Sequence, residues 1–262
     1  MLTGVRGVHE IALRPDEHLS LPHFDEALDD LRKPADRRMS AALIAPSGTG
    51  KTSVLRLLRH SLPEARYHVR YVKVTSLSMR DFCSEVSAAC GLQPAGTYPN
   101  LVRRLQAHWE TAAQNDGIRY LLILDEAHDM RPEVLGILRI LTNFEMDSRL
   151  VLSVILSGQP PLKAALNKED LEDVARRMAV YATLRLLSRD ETCRYVEHRC
   201  AIAGAATSPF DSGALDAIYE MSRGNMRTID HLALEALENA ALGGAATVAS
   251  GHVIAARRKL WP

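Results

Sequence analysis

The amino-acid sequence predicts an α/β protein: a three-layer domain with a parallel sheet between helices, followed by a smaller all-α domain. Short apolar or β-branched runs alternate with helical periodicities from residue 41 to residue 187. One of those runs, residues 120–124 (YLLIL), is apolar throughout, as a strand covered on both faces is. After Ser188 the strand pattern ceases and only helical periodicities follow. The boundaries drawn from these changes are 1–37 for an N-terminal segment, 38–187 for the α/β domain and 188–262 for the helical domain.

Each element has its own signal. Residues 24–31 (FDEALDDL) place Phe24, Leu28 and Leu31 on one face of a short helix, and Pro34 is expected to stop it. Residues 41–45 (AALIA) read as a buried strand, 46–50 as a loop, and a helix starts at Lys51 (KTSVLRLLRHSL) and ends before Pro63. Residues 67–75 (YHVRYVKVT) alternate and are β-branched, a second strand. Helical patterns cover 80–90 and 101–114, with Gly91 and Gly117 as stops. After the strand at 120–124 come a helix at 132–144, carrying Val134, Leu135, Leu138 and Leu141, and a strand at 150–156. A helix at 171–178 and a strand at 181–187 complete the domain. The last helices are expected at 190–203, 212–221, 227–242 and 252–260, separated by turn signals at 204–209, Gly224 and Gly243–Gly244.

Composition narrows the function classes. Hydrophobic residues make up 47% of the chain, enough for a buried core. Basic and acidic residues balance at 32 each, so no global charge draws the chain to a polyanion and any such contact needs a local patch. Aromatics at 5% argue against stacking platforms for single-stranded nucleic acid. Cys83, Cys90, Cys193 and Cys200 form no metal-ligand box and read as reduced thiols. No signal-peptide core and no apolar run of ~18 residues is present, so the expectation is a cytoplasmic protein without a membrane span.

The chemistry concentrates in two motifs. Ala45-Pro46-Ser47-Gly48-Thr49-Gly50-Lys51-Thr52 matches the phosphate-binding loop G-x-x-x-x-G-K-[ST] everywhere but its first position. Its glycines let consecutive N–H groups converge on phosphate oxygens, and the helix that follows adds its partial positive charge. Pro46, Ser47, Gly48, Thr49, Gly50, Lys51, Thr52 and Ser53 are therefore the expected phosphate-binding stretch, with Lys51 on the β/γ-phosphates and Thr52 on Mg²⁺. A methyl group at Ala45 is harmless if φ there is negative. The second motif, LLILDE, ends an apolar strand in Asp125 and Glu126. Asp125 is expected to hold Mg²⁺ through a water, and Glu126 to polarise the attacking water. His128 reads as a supporting loop residue.

Further polar groups sit where a nucleotide hydrolase uses them. Ser157 or Gln159, at the end of the strand VLSVILSGQ, can hydrogen-bond a γ-phosphate or the lytic water. Arg176 and Arg177 can reach a neighbouring subunit's nucleotide. Arg227, in GNMRTID, can fold back onto the nucleotide from the helical domain.

With these residues in hand the chain resembles the AAA+ P-loop ATPases. Within them it looks like the branch that holds the ExeA/GspA-type ATPases and the transposition ATPases TnsC, TniB and MuB. The resemblance covers roughly residues 24–260 and rests on APSGTGKT, LLILDEAH, RPEVLGILRILTNFEMDSRL running into VILSGQPPL, LSRDETCRYVEHRCAIAGA and GNMRTIDHL. Met226 stands where these proteins commonly carry proline. The resemblance implies ATP with Mg²⁺, and a homo-oligomer, ring or filament, with composite sites. By it Ser157 or Gln159 falls at sensor 1, Arg227 at sensor 2, and Arg177 is the preferred arginine finger over Arg176. It further implies an ATP-dependent DNA-binding regulator of transposition that selects targets and activates a transposase. Contacts to double-stranded DNA would be sequence-tolerant, with Arg257-Arg258-Lys259 as candidates. The absence of a membrane span favours that form. The alternative is a cytosolic ExeA/GspA-like ATPase for protein remodelling or secretion assembly without DNA binding, and a third reading is a signalling NTPase that acts as a binding switch.

Overall fold

Five strands, β1 (Ser40–Ile44), β2 (Tyr67–Lys73), β3 (Arg119–Asp125), β4 (Leu152–Gly158) and β5 (Met178–Thr183), pair in parallel in the order β2-β3-β4-β1-β5. They belong to a computed structural model that describes residues 18–115 and 117–260. Helix α1 (Pro22–Asp36) precedes the sheet; parallel strands need crossovers, and α2 (Lys51–Ser61), α3 (Met79–Ala89), α4 (Tyr98–Asn115), α5 (Pro132–Leu141), α6 (Pro160–Leu166) and α7 (Glu172–Ala175) supply them. Contacts divide the chain into two units, residues 23–46 with 54–184, and residues 18–22 and 47–53 with 185–260.

In the α/β unit the sheet is covered as the apolar run requires. Tyr120, Leu122 and Leu124 of β3 and Leu152, Val154 and Leu156 of β4 share one core with Phe82 and Val86 of α3, Leu101, Leu105 and Trp109 of α4, and Leu135 and Leu138 of α5. The intervening Leu121, Ile123 and Ile155 are buried as well. That double burial explains why β3 reads as a continuous apolar run while the edge strand β5 buries only Met178 and Ala182.

The boundaries depart from the sequence expectation in instructive places. Helix α1 runs through Pro34 to Asp36; the proline sits in the last turn, buried with Leu31 and Ala35, where the helix is about to end anyway. Helix α5 stops at Leu141 instead of continuing to 144, because Glu145, Met146 and Asp147 turn the chain with positive φ (49°, 57° and 64°). No glycine or proline marks that turn. The expected helix at 171–178 is the short α7, and β5 begins at Met178 because it must lie beside Ser40 at the start of β1. Helix α6, unanticipated, is opened by Pro160 and Pro161 in its first turn.

The second unit holds α8 (Arg189–Ile202), α9 (Ser212–Ser222), α10 (Met226–Leu242) and α11 (Ser250–Leu260). Ser188 caps α8 in a reciprocal box with Glu191, Asp211 caps α9, and Asn225 caps α10. Alanines at 214, 236, 240 and 256 are buried among Ile218, Ile229, Leu232 and Val253, so the helices approach closely. Gly224 has φ +77°, and a Cβ there would lie 2.0 Å from the Leu187 carbonyl oxygen, so the turn into α10 admits only glycine. Among the described residues no helix is long and apolar enough to cross a membrane.

Candidate nucleotide site

Strand β1 ends at Ile44, and the Ala45 amide donates to the Gly158 carbonyl at 3.0 Å, so the chain leaves the sheet beside the end of β4. Ala45 is buried and is not among the positive-φ residues, so its methyl group is accommodated as expected. Gly48 (φ +76°) and Gly50 (φ +92°) make the tight turns of the following loop, and Lys51, buried, opens α2. Thr49 is buried and Thr52 exposed. A helix start, two glycine turns and a lysine are the parts of which a phosphate cradle is made.

Within the second unit this loop touches the start of α10. The Asn225 Nδ2 donates to the Ser47 carbonyl at 2.8 Å while its Oδ1 accepts from the Thr228 amide at 3.2 Å. The Arg227 amide donates to the Gly48 carbonyl at 3.4 Å, and its Nη1 donates to the Ser47 hydroxyl at 3.2 Å. Arg227 therefore stands on the phosphate loop. Asn225 beside it was missed by sequence reasoning, since a helix cap is the ordinary reading of an asparagine before a helix.

In the α/β unit Asp125 ends β3, 3% exposed. Its Oδ1 accepts from the Ser157 hydroxyl at 2.8 Å and from the Glu126 amide at 3.0 Å; its Oδ2 accepts from the Tyr71 phenol at 2.9 Å. A carboxylate offers about four acceptor positions. Three are filled by the protein, and one on Oδ2 stays open. Burial, and then the Asp125 charge, push the Tyr71 phenol further above its usual range, so it remains a donor.

Glu126 has φ 58° and ψ 32°, a left-handed conformation that a residue with a side chain adopts at a cost of roughly 1–2 kcal/mol. Its side chain is one-third exposed and lies 3.5 Å, Oε2 to Nδ1, from His128. The other ring nitrogen of His128 meets the Gln159 amide nitrogen at 2.7 Å. Nδ1, near Glu126, makes no hydrogen bond among the described residues. Ser157 thus serves Asp125, whereas Gln159 serves His128.

The residues fit ATP with Mg²⁺. The Thr52 hydroxyl in one unit and the Asp125 carboxylate in the other are each hard oxygen donors of the kind Mg²⁺ takes, and Mg²⁺ keeps several waters and shares phosphate oxygens instead of needing an all-protein cage. Among the described residues no cluster of three or more histidines, cysteines or carboxylates forms such a cage. The single open acceptor position on Asp125 suits contact through a metal-bound water.

The two arginines considered as fingers differ. Arg177 is 22% exposed and its Nη2 donates to both Asp147 oxygens at 2.8 Å. Arg176 is 72% exposed and pairs with Glu172 one turn earlier, at 2.6 Å. Both line a cleft of about 620 Å³ with Arg139, Asn143 and Asp173. On α11, Lys259 pairs with Glu235, which ties up part of the basic triplet.

A protein-family model described as an AAA domain matches residues 34–166, half of the chain. General secretion pathway protein A of Aeromonas hydrophila is 32% identical over 209 residues, 79% of this chain and 38% of that protein, so the chain spans little more than a third of its relative. Cdc6p from Pyrobaculum aerophilum superposes with a TM-score of 0.74 at 18% identity, over 96% of this chain and 70% of that one. The Aeropyrum pernix ORC1 protein in complex with DNA gives 0.71 at 20% identity, over 93% and 67%. The Thermotoga maritima RuvB Holliday junction branch migration motor gives 0.63 at 16%, over 94% and 71%. These structural likenesses are of the fold.

Proposed function

The chain belongs to the AAA domain family, and from that premise we propose that it couples ATP hydrolysis to binding double-stranded DNA and regulating DNA transposition. It is an ATPase whose cofactors are ATP and Mg²⁺. Bound Mg²⁺ supplies charge neutralisation on the phosphates. Backbone N–H groups of residues 46–53 and the Lys51 ammonium hold the triphosphate, with Thr52 and Asp125 as the metal-side residues. Glu126 orients and polarises the attacking water, and His128, held by Gln159, lies beside that carboxylate. Arg227 carries the state of the phosphates to α10. Either Arg176 or Arg177 completes a neighbour's site in a ring or filament. The exposure of Arg176 supports it for that reach, although the resemblance favours Arg177.

The observation that carries the hydrolytic reading is Asp125 fixed by Ser157, Tyr71 and the Glu126 amide, with Glu126 held left-handed beside it. Glu126→Gln should bind ATP and stall its hydrolysis; near-normal turnover would refute the assignment. Lys51→Ala should lose ATP binding.

A second reading is supported by the 32% identity to general secretion pathway protein A: remodelling or assembly of a secretion apparatus without DNA contact. The two part on one measurement. Salt-dependent retention of duplex DNA in the presence of ATP supports the transposition reading, and turnover indifferent to DNA supports the other.

A further inference from the structure

The sheet edge opposite Asp125 and Ser157, where the strands begin, carries arginines at the start of four adjacent strands. Arg66 directly precedes β2, Arg119 opens β3, Arg149 lies shortly before β4, and Arg38 shortly before β1. The order β2-β3-β4-β1 makes them a row. With neighbouring strands ~4.8 Å apart, that row spans roughly 15 Å. Contacts knit it together. The Arg119 amide donates to the Arg66 carbonyl at 2.9 Å. The Arg119 Nη1 donates to the Tyr67 phenol at 2.9 Å and to the carbonyl of Asp36, just ahead of Arg38, at 2.7 Å.

Carboxylates answer only part of this charge. Asp36 lies 3.7 Å from Arg119, and Arg149 pairs with Glu145 at 3.1 Å and Glu110 at 4.0 Å. Among the described residues no carboxylate pairs with Arg38 or Arg66. Arg38 is half-buried and held at φ 58°. Burial, and then the nearby Arg119, Arg149 and Arg66 charges, disfavour its charged form. Backbone strain, partial desolvation and like-charge crowding at one side chain all oppose folding, and an anion among the four guanidinium groups offsets them.

We propose that Arg38, Arg66, Arg119 and Arg149 form an anion site for the backbone phosphates of double-stranded DNA. The guanidinium fork matches phosphate oxygens two at a time. A row of ~15 Å covers about four base-pair steps at ~3.4 Å each. Contacts to phosphate alone read no sequence, which makes the binding sequence-tolerant. Tyr67, the aromatic side chain within this cluster, is buried beneath Arg119, so no stacking platform for single strands accompanies the row. The proposal deepens the DNA-binding reading above and rests on it for the identity of the partner, but it is independent of the nucleotide site.

The test uses the whole chain with Mg²⁺-ATP and a fluorescent mixed-sequence duplex, titrated by anisotropy across a salt series, with inorganic pyrophosphate as a second probe. Arg38→Gly removes the charge and gives the left-handed position the residue suited to it, so its melting temperature should hold or rise. Arg66→Ala, at an exposed position, should leave the fold untouched. Together they should weaken duplex binding about tenfold or more and lower the slope of log K against log salt by about 1–2, with ATP turnover in the absence of DNA unchanged. A wild type that binds duplex and a double variant that binds it equally overturn the site and leave the DNA reading standing. Arginine-dependent binding of pyrophosphate without duplex binding overturns the DNA assignment. Binding of neither probe overturns both. A fall in melting temperature for Arg38→Gly overturns the argument that Arg38 is held against its own stability.

Discussion

Gly48→Ala tests the coupling between the phosphate loop and the start of α10. At φ +76° an alanine carries roughly 1–2 kcal/mol of left-handed strain. Its Cβ would also lie 2.3 Å from the Asn225 Oδ1 and 2.6 Å from its Nδ2, inside any permitted contact. The side chain must swing away, breaking its bond to the Ser47 carbonyl and its cap on the Thr228 amide. Loss of an asparagine cap costs about 1 kcal/mol. Gly48→Ala should therefore destabilise by roughly 2–3 kcal/mol in total, a drop of about 5–10 °C in melting temperature for a chain of this size. In an Asn225→Ala background the cap is already gone and the clash is relieved, so the same substitution should then remove only roughly 1–2 kcal/mol. The assay is a double-mutant cycle by urea unfolding, and the expected coupling is about 1 kcal/mol. Strict additivity would show that the side chain of Asn225 is not what Gly48 makes room for. A neutral Gly48→Ala would contradict the positive φ itself.

Other substitutions probe single contacts. Tyr71→Phe removes a hydrogen bond to a buried carboxylate, worth about 1.5–3 kcal/mol, and should weaken Mg²⁺-dependent nucleotide binding while leaving metal-free binding near wild type; equal loss with and without Mg²⁺, read by equilibrium titration, would count against its role on Asp125. Glu126→Gly should raise stability by roughly 1 kcal/mol by relieving the left-handed residue, and should abolish turnover; a less stable variant would contradict the backbone geometry. Arg223→Gly, at the left-handed cap of α9, should give a similar gain with ATP turnover unchanged. Thiol labelling of the native chain should spare Cys83 and Cys90, both buried, with the Cys83 thiol pushed up to about 12 by burial. Cys200, pushed up to about 11 by burial, should label slowly near neutrality and faster as pH rises, because the thiolate is the reactive form; pH-independent labelling would overturn this.

The parts of the fold legible in the sequence are those where local pattern and global burial agree. YLLIL became β3 because both faces of the sheet are covered, and APSGTGKT became a glycine turn opening α2 because those glycines sit at positive φ. Phosphate-loop glycines and a carboxylate ending an apolar strand declare themselves through backbone requirements. Partners across the sheet do not. Tyr71 lay in plain view in YHVRYVKVT, but its bond to Asp125 depends on β2 pairing with β3, which only the topology supplies. Likewise Ser157 and Gln159 were equivalent candidates until the geometry placed one on Asp125 and the other on His128. The turn at Glu145–Asp147 was invisible because three ordinary residues adopt positive φ there without a glycine to announce it. The arginine row was equally hidden, since its members are separated by up to 111 residues in sequence and meet only as the strands align.

Outside the turn at Glu145–Asp147, the non-glycine residues with positive φ among the described residues are Arg38, Glu126 and Arg223. Arg223 is accounted for by the fold: it ends α9, and its amide donates to the Tyr219 carbonyl at 2.8 Å just before Gly224. Arg38 closes α1 in a similar way, with its amide on the Ala35 carbonyl at 3.2 Å and the Met39 amide on the Pro34 carbonyl at 2.9 Å, whereas Glu126 follows a strand. Arg38 and Glu126 each lie at an end of the sheet, one before β1 and one after β3, and glycine would relieve the strain at either. What glycine would not supply at these positions is the side chain: a carboxylate near His128, and a guanidinium within the field of three others. If stability alone set these positions, glycine at each would be neutral for every activity. The expected pattern instead has three glycine substitutions that all stabilise, one silent in function, one that ends ATP turnover and one that weakens duplex binding. A thermal melt paired with the two functional assays on the same three proteins distinguishes the cases, and loss of function at Arg223 or its retention at Glu126 would show that strain in this chain does not mark its working residues.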